Sequence, residues 1–204
     1  MKNYLPVFLI FIASLSLPIS LHGQQAETLF NGNVDHGGYG ALIFGVTSVN
    51  GEAAYLRGTR GAWLLKFREG HTVGLGLGNY RTNSPFDAVN WQETAIPTPE
   101  LRTNYGGFEI EYFNRSYKLV HFGGQLLIGG GTVRFSDRDI DLNNTSDAYF
   151  VLQPGANIHV NITRWFRVSG GVLYRLTDGV SLAGTSNSDL SGFSAMAGLR
   201  FGKF

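Results

Sequence analysis

Between Ala148 and Ile162 the chain alternates strictly. Ala148, Phe150, Leu152, Pro154, Ala156, Ile158, Val160 and Ile162 form one set; Tyr149, Val151, Gln153, Gly155, Asn157, His159 and Asn161 form the other. After Thr163-Arg164-Trp165 the alternation resumes, with Phe166, Val168, Gly170, Val172, Tyr174 and Leu176 set against Arg167, Ser169, Gly171, Leu173, Arg175 and Thr177. A period of two gives a strand one apolar and one polar face, and Pro154-Gly155 would break a helix midway. Both arms of this hairpin exceed the ~5–6 residues of an ordinary strand and reach the ~9–11 that a tilted strand needs to cross a bilayer. The pattern predicts an all-β fold: an eight-stranded antiparallel up-and-down transmembrane β-barrel.

The remaining strands follow from the same alternation. They run over 37–49, 53–67, 72–83, 104–113, 119–134 and 191–204, which with the two arms makes eight. Asn50-Gly51 is a tight hairpin turn. The phase of the second strand slips near Gly61, which reads as a bulge. Connections 68–71, 114–118 and 163–165 are short, whereas 84–103, 135–147 and 178–190 are long. Outer-membrane barrels show this asymmetry, with short periplasmic turns and long outside loops, and an even strand count puts both termini on the turn side.

Composition narrows the class. Met1–Gly23 has Lys2 followed by an apolar run and reads as a cleaved signal peptide. Residues 24–35 form an irregular lead-in, and 36–204 form the barrel domain. Basic and acidic residues number 16 and 15 over the whole chain and balance once Lys2 leaves with the leader, which argues against nucleic acid as a partner. The chain has no cysteine, so disulfides, thiolate metal sites and a lipidated N-terminal Cys are excluded. Beyond the leader no apolar run approaches the ~20 residues of a membrane helix, so a bilayer could be crossed only by a closed barrel. The polar face carries Gly, Thr, Ser, Asn, Gln and scattered Arg, with Lys66, Lys118 and Lys203 the lysines after the leader. That composition suits a crowded lumen better than a wet surface. Gly74, Gly76, Gly78, Gly129 and Gly131 would make room there for larger neighbours. Tyr112, Phe113, Trp165, Phe166 and Phe201 gather near strand ends, where an interfacial girdle belongs.

The last strand has Phe193, Ala195, Ala197, Leu199 and Phe201 on one face and ends in Phe204. It is similar to the C-terminal signal by which outer-membrane barrels are recognised for assembly. Phe204 falls in phase with Arg200, and a bulge at Gly202 would bring it into phase with Phe201. With the leader, the eight strands and the ending Leu199-Arg200-Phe201-Gly202-Lys203-Phe204, the whole mature chain resembles the small outer-membrane β-barrel proteins of Bacteroidetes-type bacteria. The resemblance implies fold and location, with outer-membrane lipid and the barrel assembly machinery as partners, and it carries over no site.

Candidate chemistry is sparse. Glu109, Glu111, Arg167, Arg175 and Arg200 are expected to face the lumen, together with Arg57 on the second strand. Unpaired buried charges are costly, so these should pair across the barrel as a salt-bridged plug, in preference to an ion pathway or an acid/base pair of carboxylates. His121 and His159 fall on polar faces near Ser169, with no motif joining them into a nucleophile and base. Asp137, Asp139, Asp141 and Asn143 alternate as calcium ligands would, but Leu142 and Ala148 replace the turn glycine and the closing glutamate, leaving a weak candidate. Phe86 and Trp91, in the first long loop, either contact an external partner or fold back over the barrel mouth. No cofactor and no catalytic residue are expected. The function read from the sequence is a structural or interaction role through external loops. The alternatives are a lipid-modifying enzyme and a soluble periplasmic barrel holding an apolar ligand.

Overall fold

The computed structural model describes residues 35–67, 70–82, 86–87, 100–135 and 146–204. Residues 1–34, which hold the expected signal peptide, Trp91 and the run Asp137, Asp139, Asp141, Asn143 lie outside the described residues. Eight long strands are present: β1 (Asp35–Val49), β2 (Glu52–Lys66), β3 (Thr72–Thr82), β5 (Glu100–Asn114), β6 (Val120–Phe135), β7 (Ser146–Asn161), β8 (Phe166–Asp178) and β9 (Gly192–Lys203). A two-residue strand β4 (Phe86–Asp87) pairs with Leu101 and Glu100, and one helical turn α1 (Asn187–Leu190) precedes β9.

Each long strand pairs antiparallel with its neighbours in the order β3-β2-β1-β9-β8-β7-β6-β5, and β3 pairs with β5 to close the barrel. The hairpin between β1 and β2 turns on Asn50 and Gly51, with φ of 55° and 78°. Those positive values at both central residues are what a two-residue primed turn demands, and its twist matches the strands it joins. Pro154 has no N–H to give. The β7–β8 ladder skips from Leu152↔Leu176 to Gly155↔Leu173 without changing register, so the proline removes rungs and leaves the alignment intact.

The bulge expected at Gly61 is absent. β1 and β2 pair without interruption from Asp35↔Lys66 to Val49↔Glu52, so Gly61 is an ordinary rung. What reverses along β2 is the polarity of each face, not the geometric phase. Toward the loop end the outward positions turn polar (Arg57, Thr59), while the inward ones carry Leu56 and Ala54. β1 and β9 likewise pair continuously through Tyr39↔Gly202 and Gly38↔Lys203. Phe204 therefore stays in phase with Arg200. It packs against the inner core, stacked on Tyr39 at 5.9 Å with the Arg167 guanidinium 4.1 Å from its ring centre. The fourth sequence-read strand also begins earlier than expected, at Glu100.

The outside of the barrel is apolar. Phe44, Leu77, Phe108, Phe150, Ile158, Val172 and Phe193 are all exposed. Monomeric soluble proteins rarely expose contiguous apolar patches beyond a few hundred Å2. Aromatic groups gather at the turn end: Phe166 stacks on Phe201 at 4.8 Å, and Trp165 stacks on Phe201 at 6.1 Å. Phe113, expected in this girdle, is instead buried inside, because its neighbour Tyr112 takes the outward position. At the loop end the β8–β9 connection folds inward, burying Leu182 and Leu190 among Val49, Leu101, Val133 and Phe135.

Candidate functional site: the charged ring in the lumen

Every barrel strand contributes at least one side chain to a polar belt across the interior. They are Tyr39 on β1, Arg60 on β2, Tyr80 on β3, Glu109 and Glu111 on β5, Gln125 on β6, Asn157 on β7, Ser169 on β8 and Arg200 on β9. Their orientation follows from the strict alternation, and their proximity follows from closure of so narrow a cylinder, whose interior is just wide enough for side chains to fill.

Glu111 is the hub. Its Oε1 accepts from Arg60 Nη1 and from Arg200 Nη2, both at 2.9 Å, and its Oε2 accepts from Arg200 Nη1 at 3.2 Å and from the Tyr39 hydroxyl. Glu109 Oε2 lies 2.5 Å from Arg60 Nε, and the Tyr80 hydroxyl donates to Glu109 Oε1. Arg60 also donates to Gln125 Oε1 at 2.9 Å, which accepts from Asn157 Nδ2 at 2.8 Å. Arg200 Nε donates to Ser169 Oγ at 3.2 Å. Two guanidiniums thus meet two carboxylates, and the charge of the belt closes to neutral. All four are almost fully buried. Buried charges survive only when paired and hydrogen-bonded to this degree.

The other inward charges have separate tasks. Arg167 donates to Asn161 Oδ1 at 2.6 Å and lies over Phe204, closing the turn end. Arg175 donates to the Leu190 carbonyl at 2.6 Å, to the Ser48 carbonyl at 3.1 Å and to Thr47 Oγ1 at 3.3 Å. It pins the folded-in β8–β9 connection to the β1 rim. Arg57, expected inside, faces outward and is exposed, because β2 keeps its phase through Gly61. Arg60 takes the inward place. Sequence reasoning passed over it together with Tyr39, Tyr80, Gln125 and Asn157. Strict alternation counted back from Leu64 through Gly61 would have found Arg60.

His121 and His159 face each other across one β6–β7 rung with ring centroids 5.1 Å apart, and Phe113 is tilted against both. His159 also shares a rung with Ser169, whose hydroxyl is engaged by Arg200. Among the described residues, no group of three or more His, Cys, Asp or Glu could hold a metal ion. Phe86 lies in β4 beside Asp87, whose carbonyl accepts from the Asn50 side chain at 3.1 Å.

A closed antiparallel cylinder of eight strands, greasy outside and ionic within, has the architecture of the small outer-membrane barrels. Among solved structures the chain is similar to Ail, the attachment invasion locus protein of Yersinia pestis, with a TM-score of 0.53 and 16% identity, covering 82% of this chain and 97% of that one. It is also similar to Neisserial surface protein A, with a TM-score of 0.51 and 12% identity, covering 83% and 97%. A structure of Ail in complex with the heparin analogue sucrose octasulfate matches equally, at a TM-score of 0.53 and 16% identity, covering 82% and 97%. No protein-family model and no curated protein matches.

Proposed function

We propose that this chain is an outer-membrane β-barrel protein of a Gram-negative bacterium, of the Bacteroidetes type. It is exported by its leader, inserted by the barrel assembly machinery and surrounded by outer-membrane lipid. It has no enzymatic activity and works through its external loops, with the lumen closed by side chains. The observation that carries this reading is the inversion of polarity: Phe150, Ile158 and Val172 are exposed while Arg60, Arg175 and Arg200 are buried. A soluble barrel binding an apolar ligand would need the reverse arrangement. The names of the two similar proteins, an attachment protein and a surface protein, favour contact with the outside. The segment that contains Phe86 and Trp91 is the candidate for that contact.

A lipid-modifying activity would require His159 to activate Ser169. The Ser169 hydroxyl instead accepts from Arg200, and both side chains are buried. The test joins fractionation to conductance. The protein is expected to resist alkaline and salt washes, to migrate faster unboiled than boiled on a denaturing gel, and to give no stable large conductance in a planar bilayer. Release by the wash would remove the membrane assignment, and a steady open channel would remove the sealed lumen.

A further inference from the structure

On the outer surface of β2, β3, β5 and β6 the side chains change character toward the loop end. Leu77, Phe108 and Ile128 are exposed apolar groups. Farther along the same faces stand Arg57, Arg81, Arg102 and Arg134, all exposed. Arg57 is directly opposite Arg81, and Arg102 is directly opposite Arg134. Asn104 and Thr132 pair between them, the Thr132 hydroxyl donating to Asn104 Oδ1. These side chains line one cleft of about 480 Å3.

Like charges directly opposite on paired strands are destabilising, so two such rungs side by side call for a shared counter-charge. Among the described residues, none of the four arginines has an ion pair or a side-chain hydrogen bond. Among the described residues, Glu100 and Asp87 are the carboxylates of that surface; both are exposed, they pair in register, and Glu100 stands on the Arg102 face one outward position nearer the loops. On the opposite half of the barrel the outer face near the loop end exposes Val46, Leu176 and Phe193, and beyond Leu176 stands the acidic Asp178. The basic patch is therefore a local feature and not a charged collar.

Its height identifies the occupant. Arg81 lies nine residues beyond Thr72 at the turn end of β3, about 23 Å along the barrel axis for a strand rising ~3.4 Å per residue at ~40° tilt, so it stands near the upper edge of an apolar band ~25 Å tall. That is headgroup depth rather than hydrocarbon, where an outward arginine carries little penalty. Guanidinium groups clamp phosphate oxygens in pairs, through charge-assisted bonds that an ammonium cannot duplicate.

We propose that Arg57, Arg81, Arg102 and Arg134 bind the phosphate groups of a phosphorylated-saccharide lipid in the outer leaflet, bound sideways against the barrel wall. The inference rests on the outer-membrane reading above. The test uses the full mature barrel in phosphatidylcholine nanodiscs, with diphosphorylated lipid A, its dephosphorylated form and sucrose octasulfate as probes, read by native mass spectrometry. The expected result is selective retention of the diphosphorylated lipid. In R57Q/R81Q/R102Q/R134Q, retention should weaken roughly tenfold or more, because each lost bond is one to a charged group. R57Q/R81Q alone gives the partial loss should the fourfold variant fold poorly, and unboiled gel mobility reports folding for each. Equal retention of the dephosphorylated lipid, equal retention by the folded variants, or preference for the soluble sulfated sugar would each overturn the site. Failure of the wild-type barrel to enter the nanodisc would instead overturn the membrane reading.

Discussion

At the scale of single residues, Glu111 has the most to lose. Two arginines and a tyrosine converge on it in a space closed to water. Glu111→Ala should lower the unfolding free energy in detergent by about 3–5 kcal/mol, because it strands buried guanidiniums without a counter-charge. Arg57→Gln, on the outer face, should change it by no more than about 0.5 kcal/mol. Urea titration of the refolded barrel measures both, and equal losses at the two positions would contradict the orientation of β2. The inward direction of Glu109, Glu111, Arg167, Arg175 and Arg200 was legible because alternation fixes the face of every residue on a strand. Which of them pair was not. Arg60 and Glu111 lie far apart in sequence and meet only after the cylinder closes. The same closure separates Arg167 and Arg175 from the ion-paired belt and gives them the two ends of the barrel.

At the scale of the element, glycine does the work of spacing. A Cβ on Gly78 would come within 2.3 Å of Glu109 Oε1, and one on Gly131 within 2.4 Å of Tyr149 Cζ, whereas one on Gly40 would meet nothing within 4 Å. Gly78→Val should therefore cost about 1–3 kcal/mol by forcing the carboxylate away from Arg60 and Tyr80, while Gly40→Ala should be nearly silent. The fraction of compact, fast-migrating barrel at rising temperature is the readout. A silent Gly78→Val would mean that the belt has slack. Strand number, the hairpin at Asn50-Gly51 and the short turns were all readable, since period two and turn chemistry are local signals. The bulge expected at Gly61 does not exist, because on β2 a change of hydrophobic sign imitates a change of geometric phase. On β2 the outer face becomes polar toward the loop end, and just after β9 Phe204 turns inward against the core.

At the scale of the molecule, the barrel is a cylinder turned inside out relative to a soluble protein. The hydrophobic belt lies outside, an electrically neutral ring lies within, and the two ends are stopped by Phe204 with Arg167 and by the inward-folded connection held by Arg175. The class of fold was legible because the same alternation runs through every long strand at once. It was silent on partners, because loop contacts depend on a few side chains and leave no periodic trace. The most direct test of the central claim uses the absence of native cysteine. Single cysteines replacing Phe150, Ile158, Val172 and Arg164 are spin-labelled one at a time in lipid bilayers, and collision with dissolved oxygen is compared with collision with a water-soluble nickel chelate. Labels at 150, 158 and 172 should favour oxygen strongly and the label at turn residue 164 should favour nickel; nickel access at the first three positions would put water where this account puts hydrocarbon.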